Sequence, residues 1–329
     1  MLNIVNIKKK LLDEGFYNII TSKCPTTTTN NKCENRLDQV TRGIIPNTLF
    51  ETITTPCRIG RDIDCVKQEC NSESPNKCPI CYFTNTNEKI KTVCTGLDKF
   101  KSYELDDTFI LIPNAFPYLD NHFLITVSNH IPQFEIMNTL GIQFLDNINK
   151  LLIVNPTGVI FFNGMCGNSL EHFHCQITTT DFPIFKYVPK NNGLIDTNGF
   201  RGWFITFSYE TKHVFSDMID KVKESSYNFI LNKKDSIFQC FFFVRKNCGT
   251  VQPNLNFGST ELAGIIGSNK DDYPDKSAID TYLDITNNLS NYTFLQNQGG
   301  NRKSRRNRKN NKSRKGKSSK NRRKSNRRR

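Results

Sequence analysis

A short alternation of polar and apolar side chains at 172–178 constrains the fold of this chain more than any other feature. The apolar members of the alternation are Phe173, Cys175 and Ile177. Because successive side chains of a β-strand point to opposite faces, His172, His174 and Gln176 are predicted to share one face, at a spacing of about 7 Å. The alternation therefore predicts a strand on which two imidazoles and an amide line one wall of a pocket.

The loop that precedes this strand has the composition of an anion-binding site. Gly164 and Gly167 lack a β-carbon and would let backbone amides approach a bound anion, and Ser169 offers a hydroxyl donor. A neutral imidazole beside a bound phosphate could attack phosphorus in line and form a phosphoramidate. His174, at the centre of the polar face, is the candidate nucleophile. The alternative is that His-x-His on a strand is a pair of half-buried or metal-bound histidines.

The rest of the chain predicts a mixed α+β architecture. Runs of β-branched and aromatic residues predict strands, and apolar residues spaced three or four apart predict helices. The predicted strands are 108–113, 122–127, 158–162, 172–178, 184–188, 203–209, 238–245 and 261–267. The predicted helices are 6–20, 133–152, 211–232 and 277–288. His122 opens a strand and could face either a nucleotide or the core, and as a lone histidine it is interpreted as structural. His213 begins a helix and is predicted to be exposed.

Positive charge is concentrated at the C-terminal end. Residues 301–329 hold 17 Lys and Arg and no acidic residue, so the preceding residues hold 28 basic and 31 acidic side chains. Such a tail binds polyanions through counterion release, and RNA, DNA and acidic proteins are all candidate partners. The same run could instead be a nuclear or nucleolar address. It holds no aromatic residue that could stack on bases, which argues against sequence-specific recognition.

The N-terminus and the cysteines predict an intracellular protein, cytoplasmic or nuclear, with no membrane partner. The first residues lack the apolar core and cleavage site of a secretory signal. No apolar stretch reaches the length of about 18 residues that is needed to span a bilayer. The twelve cysteines are therefore expected to be reduced thiols or metal ligands.

One cysteine pair has the spacing of metal ligands. Cys78 and Cys81 are separated by two residues, which lets both thiolates reach one tetrahedral zinc ion. A complete site needs two more ligands. The alternative is a turn that holds two ordinary buried thiols, and the spacing alone leaves both interpretations open.

The residues Asn-Gly-Met-Cys-Gly-Asn-Ser-Leu-Glu-His-Phe-His-Cys-Gln at 163–176 resemble the signature of the histidine-triad superfamily. The resemblance is to the transferase and phosphorylase branch with His-x-His-x-Gln, which includes galactose-1-phosphate uridylyltransferase, GDP-hexose phosphorylases and diadenosine tetraphosphate phosphorylase. The hairpin at 112–133 and the strand at 261–267 are also similar to this branch. The similarity covers 75–290, with a departure at Glu171, where many relatives carry proline or a small residue.

The resemblance implies an α+β fold, with a histidine-triad-like antiparallel sheet, flanking helices and room for two degenerate histidine-triad-like halves. We predict that 1–70 forms a segment rich in Cys, Thr and Asn that packs partly on the core. Residues 71–296 would form the nucleotidyltransferase or phosphorylase domain, and 297–329 a disordered tail rich in Lys and Arg. Because some relatives dimerise, a homodimer is a candidate assembly.

The resemblance also implies roles for the residues of the signature. His174 would be the nucleophile that forms a nucleotidyl-histidine, Gln176 would contact the phosphates, and His172 would orient the site. The implied substrate-binding residues are Asn163, Gly167 and Ser169. By similarity to the uridylyltransferases, the implied ligands of a structural zinc are Cys78, Cys81, His130 and His172. No organic cofactor is implied.

These features favour an enzyme that cleaves a nucleoside diphosphate sugar or a dinucleoside polyphosphate. The nucleotide would pass through His174 to inorganic phosphate or another acceptor, because glutamine in the third place is typical of transfer or phosphorolysis. One alternative is a catalytically silent nucleotide- or RNA-binding protein on the same fold. Another is a hydrolase of capped or adenylated nucleic acid, guided by the basic tail.

Overall fold

The computed structural model describes residues 2–17, 41–46, 48–54, 78, 80–81, 101–114, 117–133, 135–164, 172–197, 200–223, 225–245 and 258–268. The helices are α1 (Ile4–Asp13), α2 (Glu135–Val154), α3 (His213–Val222), the short α4 (Ser259–Leu262) and a 3-10 helix at Pro183–Tyr187. The strands are β1 (Thr41–Ile44), β2 (Glu51–Thr54), β3 (Tyr103–Glu104), β4 (Phe109–Pro113), β5 (Phe123–Val127), β6 (Val159–Phe162), β7 (His174–Thr178), β8 (Gly193–Thr197), β9 (Phe200–Ser208), β10 (Ser226–Lys234), β11 (Ile237–Arg245) and β12 (Ile265–Ser268).

Within these ranges, nine strands form one antiparallel sheet in the order β3-β4-β5-β7-β6-β10-β11-β9-β8. Strands β3 to β7 lie on one side of the sheet and β8 to β11 on the other. The two blocks meet where β6 pairs with β10, with Phe162 opposite Phe229. The predicted α+β fold with a large antiparallel sheet is therefore confirmed, and the sheet consists of two consecutive blocks of chain.

Helices cover one face of this sheet. Phe173, just before β7, and Phe229 of β10 are fully buried there, and both rings contact Phe144 of α2. Phe215 of α3 adds an edge-to-face contact with Phe229, and Ile4 of α1 joins the same core. Burial of each such side chain stabilises the fold by about 1.5–3 kcal/mol. The helical layer thus accounts for the apolar face of β7.

A second layer covers the opposite face. It contains a three-stranded sheet in the order β1-β2-β12, in which β12 runs parallel to β2, together with α4 and the 3-10 helix. Phe161 of β6 packs against Phe182 there, and Ile265 of β12 belongs to the same buried cluster. Gln176 pairs with Phe161 across β6 and β7 and therefore lies on this face. The polar side chains of β7 therefore lie between the nine-stranded sheet and this second layer.

Most predicted strands agree with the structure, but one prediction is wrong and two are right only in part. At 184–188 the chain forms the 3-10 helix, because Pro183 at its start fixes a helical backbone angle and removes a donor. The predicted helix at 211–232 ends at Val222, and β10 follows because pairing with both β6 and β11 outweighs local helical spacing. The predicted strand at 261–267 begins as α4, whose Glu261 carboxylate accepts a hydrogen bond from the Gly258 amide.

Other predictions need smaller changes or cannot be compared. The helix predicted at 6–20 begins at Ile4, because the Asn3 side chain caps it, and ends at Asp13. Sequence patterns did not identify β1, β2, β3 or β8. The predicted helix at 277–288 and the tail at 297–329 lie outside the described residues. Among the residues that are described, no helix is both long and apolar enough to cross a membrane.

Gly164 follows β6 at a point where the chain passes against β10. A β-carbon at this position would lie 2.0 Å from the Tyr227 carbonyl oxygen. We expect Gly164→Ala to lower the free energy of unfolding by about 3 kcal/mol, since neither backbone can move without disturbing the sheet. In Gly141→Ala, the added carbon meets no atom within 4 Å. This control in α2 should be neutral or stabilising by up to about 1 kcal/mol. Denaturant unfolding of both variants checks the difference, and equal stability would contradict the packing described here.

Candidate active site

His174 opens β7 on the polar face of the strand and is 5% exposed. Its Nδ1 lies 2.9 Å from the carbonyl oxygen of His172. Because a carbonyl oxygen only accepts hydrogen bonds, Nδ1 carries the proton, and in a neutral ring the lone pair is on Nε2. This tautomer suits a nucleophile that attacks through Nε2.

A buried side chain, Gln133, fixes the backbone at this point. Its Oε1 accepts from the His174 amide at 2.8 Å, and its Nε2 donates to the carbonyl oxygens of His174 and Asn163, both at 2.8 Å. The side chain therefore joins the start of β7 to the end of β6. Gln133 ends the hairpin that resembles the family, but no sequence pattern predicts a role for it, because its partners are distant along the chain.

Gln176 is the next polar residue on the same face of β7 and is mostly buried. Its Oε1 lies 2.7 Å from Nε2 of His122, just before β5. The His122 ring is also buried and makes an edge-to-face contact with Tyr118, with ring centroids 5.0 Å apart. The sequence pattern favours a structural role for His122, whereas the structure brings it into direct contact with a predicted site residue, Gln176.

The predicted substrate-binding residues have different positions. Asn163 directly follows β6, and its Oδ1 accepts a 2.7 Å hydrogen bond from the Ser259 amide at the start of α4. Gly167 and Ser169 lie outside the described residues. The Gly164 amide donates to Asn228 Oδ1 at 2.9 Å and is therefore engaged within the fold. The glycine is needed there because of the close approach of β10.

Four potential metal ligands converge beside the same strand. They are Cys78, Cys81, His130 and His172, and their ligand atoms all lie within 4.8 Å of one another. Nδ1 of His172 lies 3.4 Å from the Cys78 sulfur and 3.3 Å from the Cys81 sulfur. The Cys81 sulfur is 3.1 Å from Nδ1 of His130. Ligands on one tetrahedral zinc would have sulfur and nitrogen about 3.6 Å apart, so the four residues fit a metal with small adjustments.

The opposite nitrogen of His172 orients the ring toward the thiols. Its Nε2 lies 3.1 Å from the Val127 carbonyl oxygen and must donate to it, which leaves the Nδ1 lone pair for a metal. The hydrogen bond from Cys81, followed by the contact with His172, lowers the pKa of the Cys78 thiol well below its ordinary value despite burial. One thiolate is thus favoured even before a cation is present.

His172 connects the metal-ligand cluster with the residues around His174. Its side chain belongs to the metal-ligand cluster, while its backbone carbonyl holds the proton of His174. His172 precedes β7 rather than lying within it, and makes an isolated bridge with Pro132. β7 therefore begins two residues later than the predicted strand, because the chain at His172 pairs locally with the segment that carries His130.

No family model matches the chain, and neither does any curated protein. Among solved structures, yeast Ap4A phosphorylase in complex with AMP superposes with a TM-score of 0.53 at 15% identity, over 87% of this chain and 94% of that one. The same enzyme in complex with Ap4A gives a TM-score of 0.52 at 15% identity, over 87% of this chain and 96% of the other. The fold of this chain is therefore similar to that of yeast Ap4A phosphorylase.

The likeness confirms the α+β architecture with a large antiparallel sheet that the signature implied. At this level of identity the likeness concerns the fold alone. The chemistry of this chain depends on its own side chains, above all on His174, Gln176 and their hydrogen bonds.

Proposed function

We propose that this chain is a nucleotidyl-transferring phosphorylase that acts through a covalent nucleotidyl-His174. The observation that carries the proposal is the hydrogen bond from His174 Nδ1 to the His172 carbonyl, which assigns the lone pair to Nε2. The fold is similar to that of an enzyme whose solved complexes hold AMP and Ap4A. Dinucleoside polyphosphates are therefore the first substrate class to test, and nucleoside diphosphate sugars the second.

The proposed reaction has two displacements at one phosphorus atom. Nε2 of His174 attacks the α-phosphorus, and the bond from phosphorus to the bridging oxygen breaks, which releases a nucleoside polyphosphate or a sugar phosphate. An oxygen of inorganic phosphate then attacks the same phosphorus. The phosphorus–nitrogen bond breaks, the nucleoside diphosphate leaves, and His174 regains its lone pair. The amide of Gln176 contributes hydrogen bonds to the phosphate oxygens.

A substrate panel tests this function. The full chain would be incubated with each of four substrates, with and without inorganic phosphate. The substrates are Ap4A, ADP-glucose, GDP-mannose and UDP-glucose. We expect at least one of them to yield a nucleoside diphosphate only when phosphate is present. Binding without turnover of any substrate would favour the catalytically silent alternative. Equal turnover with and without phosphate, which releases the monophosphate, would favour the hydrolase.

We also propose that Cys78, Cys81, His130 and His172 hold one structural zinc ion. The donor set of two thiolates and two imidazoles is typical of zinc, and four protein ligands leave no open position for a substrate. When bound, the metal would supply rigidity, because it would tie the segment that carries His130 to the start of β7. The closed ligand set supports a structural role.

A further proposal concerns the basic tail, which we assign to sequence-independent nucleic-acid binding. The proposal rests on the 17 positive charges and the absence of acidic residues at 301–329. If the tail neutralises about 6–10 phosphates, its affinity for nucleic acid should fall by roughly 10³- to 10⁵-fold between 50 and 200 mM salt.

Deletion of 297–329 is expected to abolish this binding while leaving turnover of small nucleotides unchanged. Fluorescence anisotropy with single-stranded RNA at several salt concentrations measures the effect. A full-length variant with glutamine at every Lys and Arg of 301–329 is the matched control and should behave like the deletion. Retained RNA binding by either variant, or binding only of acidic proteins by the wild type, would contradict the proposal.

A further inference from the structure

We infer that His122 is a positioning residue that turns the NH₂ group of the Gln176 amide toward the substrate phosphates. The inference rests on the proposed function, because it concerns the same nucleotide site. It starts from one contact: Nε2 of His122 lies 2.7 Å from Oε1 of Gln176. The amide oxygen can only accept, so His122 carries its proton on Nε2 and donates it to Gln176.

The orientation of the Gln176 amide follows from this bond. With its oxygen held by His122, the planar amide directs its nitrogen away from that ring. Among the described residues, no hydrogen-bond partner is present for this nitrogen, and Gln176 retains 8% exposure. Its two donors therefore remain for a ligand. Phosphate oxygens only accept hydrogen bonds, which makes an NH₂ group the matching half of the amide.

The His122 ring is itself held in a defined position. It is 1% exposed, contacts Tyr118 edge to face, and packs against Phe161 with ring centroids 5.8 Å apart. Asn114 Nδ2 lies 3.4 Å from Nδ1 of His122 and can donate to its lone pair. The same nitrogen is 3.1 Å from Nε2, but two N–H donors do not bond each other. Each group in this chain of hydrogen bonds donates to the next: Asn114 donates to His122, and His122 donates to Gln176. Gln176 would then donate to the phosphate.

A purely structural histidine would stabilise the fold without this directional effect, and a double-mutant cycle separates the two roles. His122→Phe keeps a ring of similar shape and removes the donor. We expect this variant to lose about 10-fold in kcat/KM. In a Gln176→Ala background, the same change should have less than about a twofold effect. The exposed His213, at the start of α3, provides a control variant, His213→Phe, with unchanged turnover.

A third variant tests which half of the amide faces the ligand. Gln176→Glu keeps an oxygen that accepts from His122 but replaces the NH₂ donors with a second oxygen. We expect it to bind AMP at least about 10-fold more weakly than Gln176→Ala does, because a carboxylate repels phosphate. Binding by Gln176→Glu that equals the wild type would overturn the inference.

The outcomes distinguish this inference from the proposed function. Equal losses from His122→Phe in the wild-type and Gln176→Ala backgrounds, or no loss in either, would overturn the positioning role while the enzyme itself remains active. If the wild type turns over no nucleotide, the proposed function fails, and ¹⁵N-histidine NMR of the full chain decides the inference. An Nε2–H tautomer of His122 in the wild type supports it, and an Nδ1–H tautomer contradicts it.

Discussion

Replacement of His174 by asparagine is expected to reduce nucleotidyl transfer by at least about 10³-fold, because no other group replaces a covalent nucleophile. Asparagine resembles the imidazole in its polar atoms but cannot attack phosphorus. The backbone bonds of residue 174 to Gln133 remain, so the free energy of unfolding should change little. Stopped-time assays of phosphate-dependent turnover measure the loss.

His213→Asn is the matched control for this change, since His213 is exposed and lies at the start of α3. It should retain full activity. If His174→Asn turns over substrate at the wild-type rate, the covalent route through this residue is wrong. If both variants lose activity together with their folded structure, unfolding rather than chemistry explains the loss, and denaturant curves identify that case.

The second large effect is expected from removal of the metal. The wild type should contain one zinc ion per chain after dialysis, and Cys81→Ser should contain almost none, because its sulfur lies against both His130 and His172. If zinc exceeds its dissociation constant about 1,000-fold, its loss lowers the free energy of unfolding by roughly 4 kcal/mol. Turnover should fall as well, since the His172 carbonyl that holds the His174 proton loses its support.

Elemental analysis and thermal unfolding, with and without a chelator, test this expectation. Cys240→Ala is the control, because Cys240 is a fully buried thiol that belongs to the sheet core and not to the metal-ligand cluster. That variant should lose some stability but keep its zinc and its response to the chelator. A wild type that contains no metal and does not respond to a chelator would support the alternative of two ordinary buried thiols.

Local periodicity predicted much of the region around β7. The strict alternation at 174–178 fixes which side chains share a face, and the structure confirms that Phe173, Cys175 and Ile177 enter the helical core. Runs of β-branched and aromatic residues predict β4 and β5, which the structure pairs as a hairpin. The ligand set of Cys78, Cys81, His130 and His172 came from the family resemblance, and the structure brings the four residues together.

The failed predictions concern contacts between distant segments. Residues 226–232 have apolar spacing that also suits a helix. They form a strand because their backbone pairs with β6 on one side and β11 on the other. Gln133 and His122 appear in the sequence as ordinary polar residues. Their partners in β7 are more than 40 residues away in the chain, so no local pattern reveals the hydrogen bonds that organise the site.

The most direct test of the central claim is mass spectrometry of the intact enzyme after mixing with Ap4A, without phosphate and with an alkaline quench that preserves phosphoramidates. We expect one nucleotidyl group per chain, located on His174 by peptide mapping. Addition of phosphate should remove it and release the nucleoside diphosphate. An active wild type that carries no adduct, or an adduct on a residue other than His174, would contradict covalent catalysis by His174.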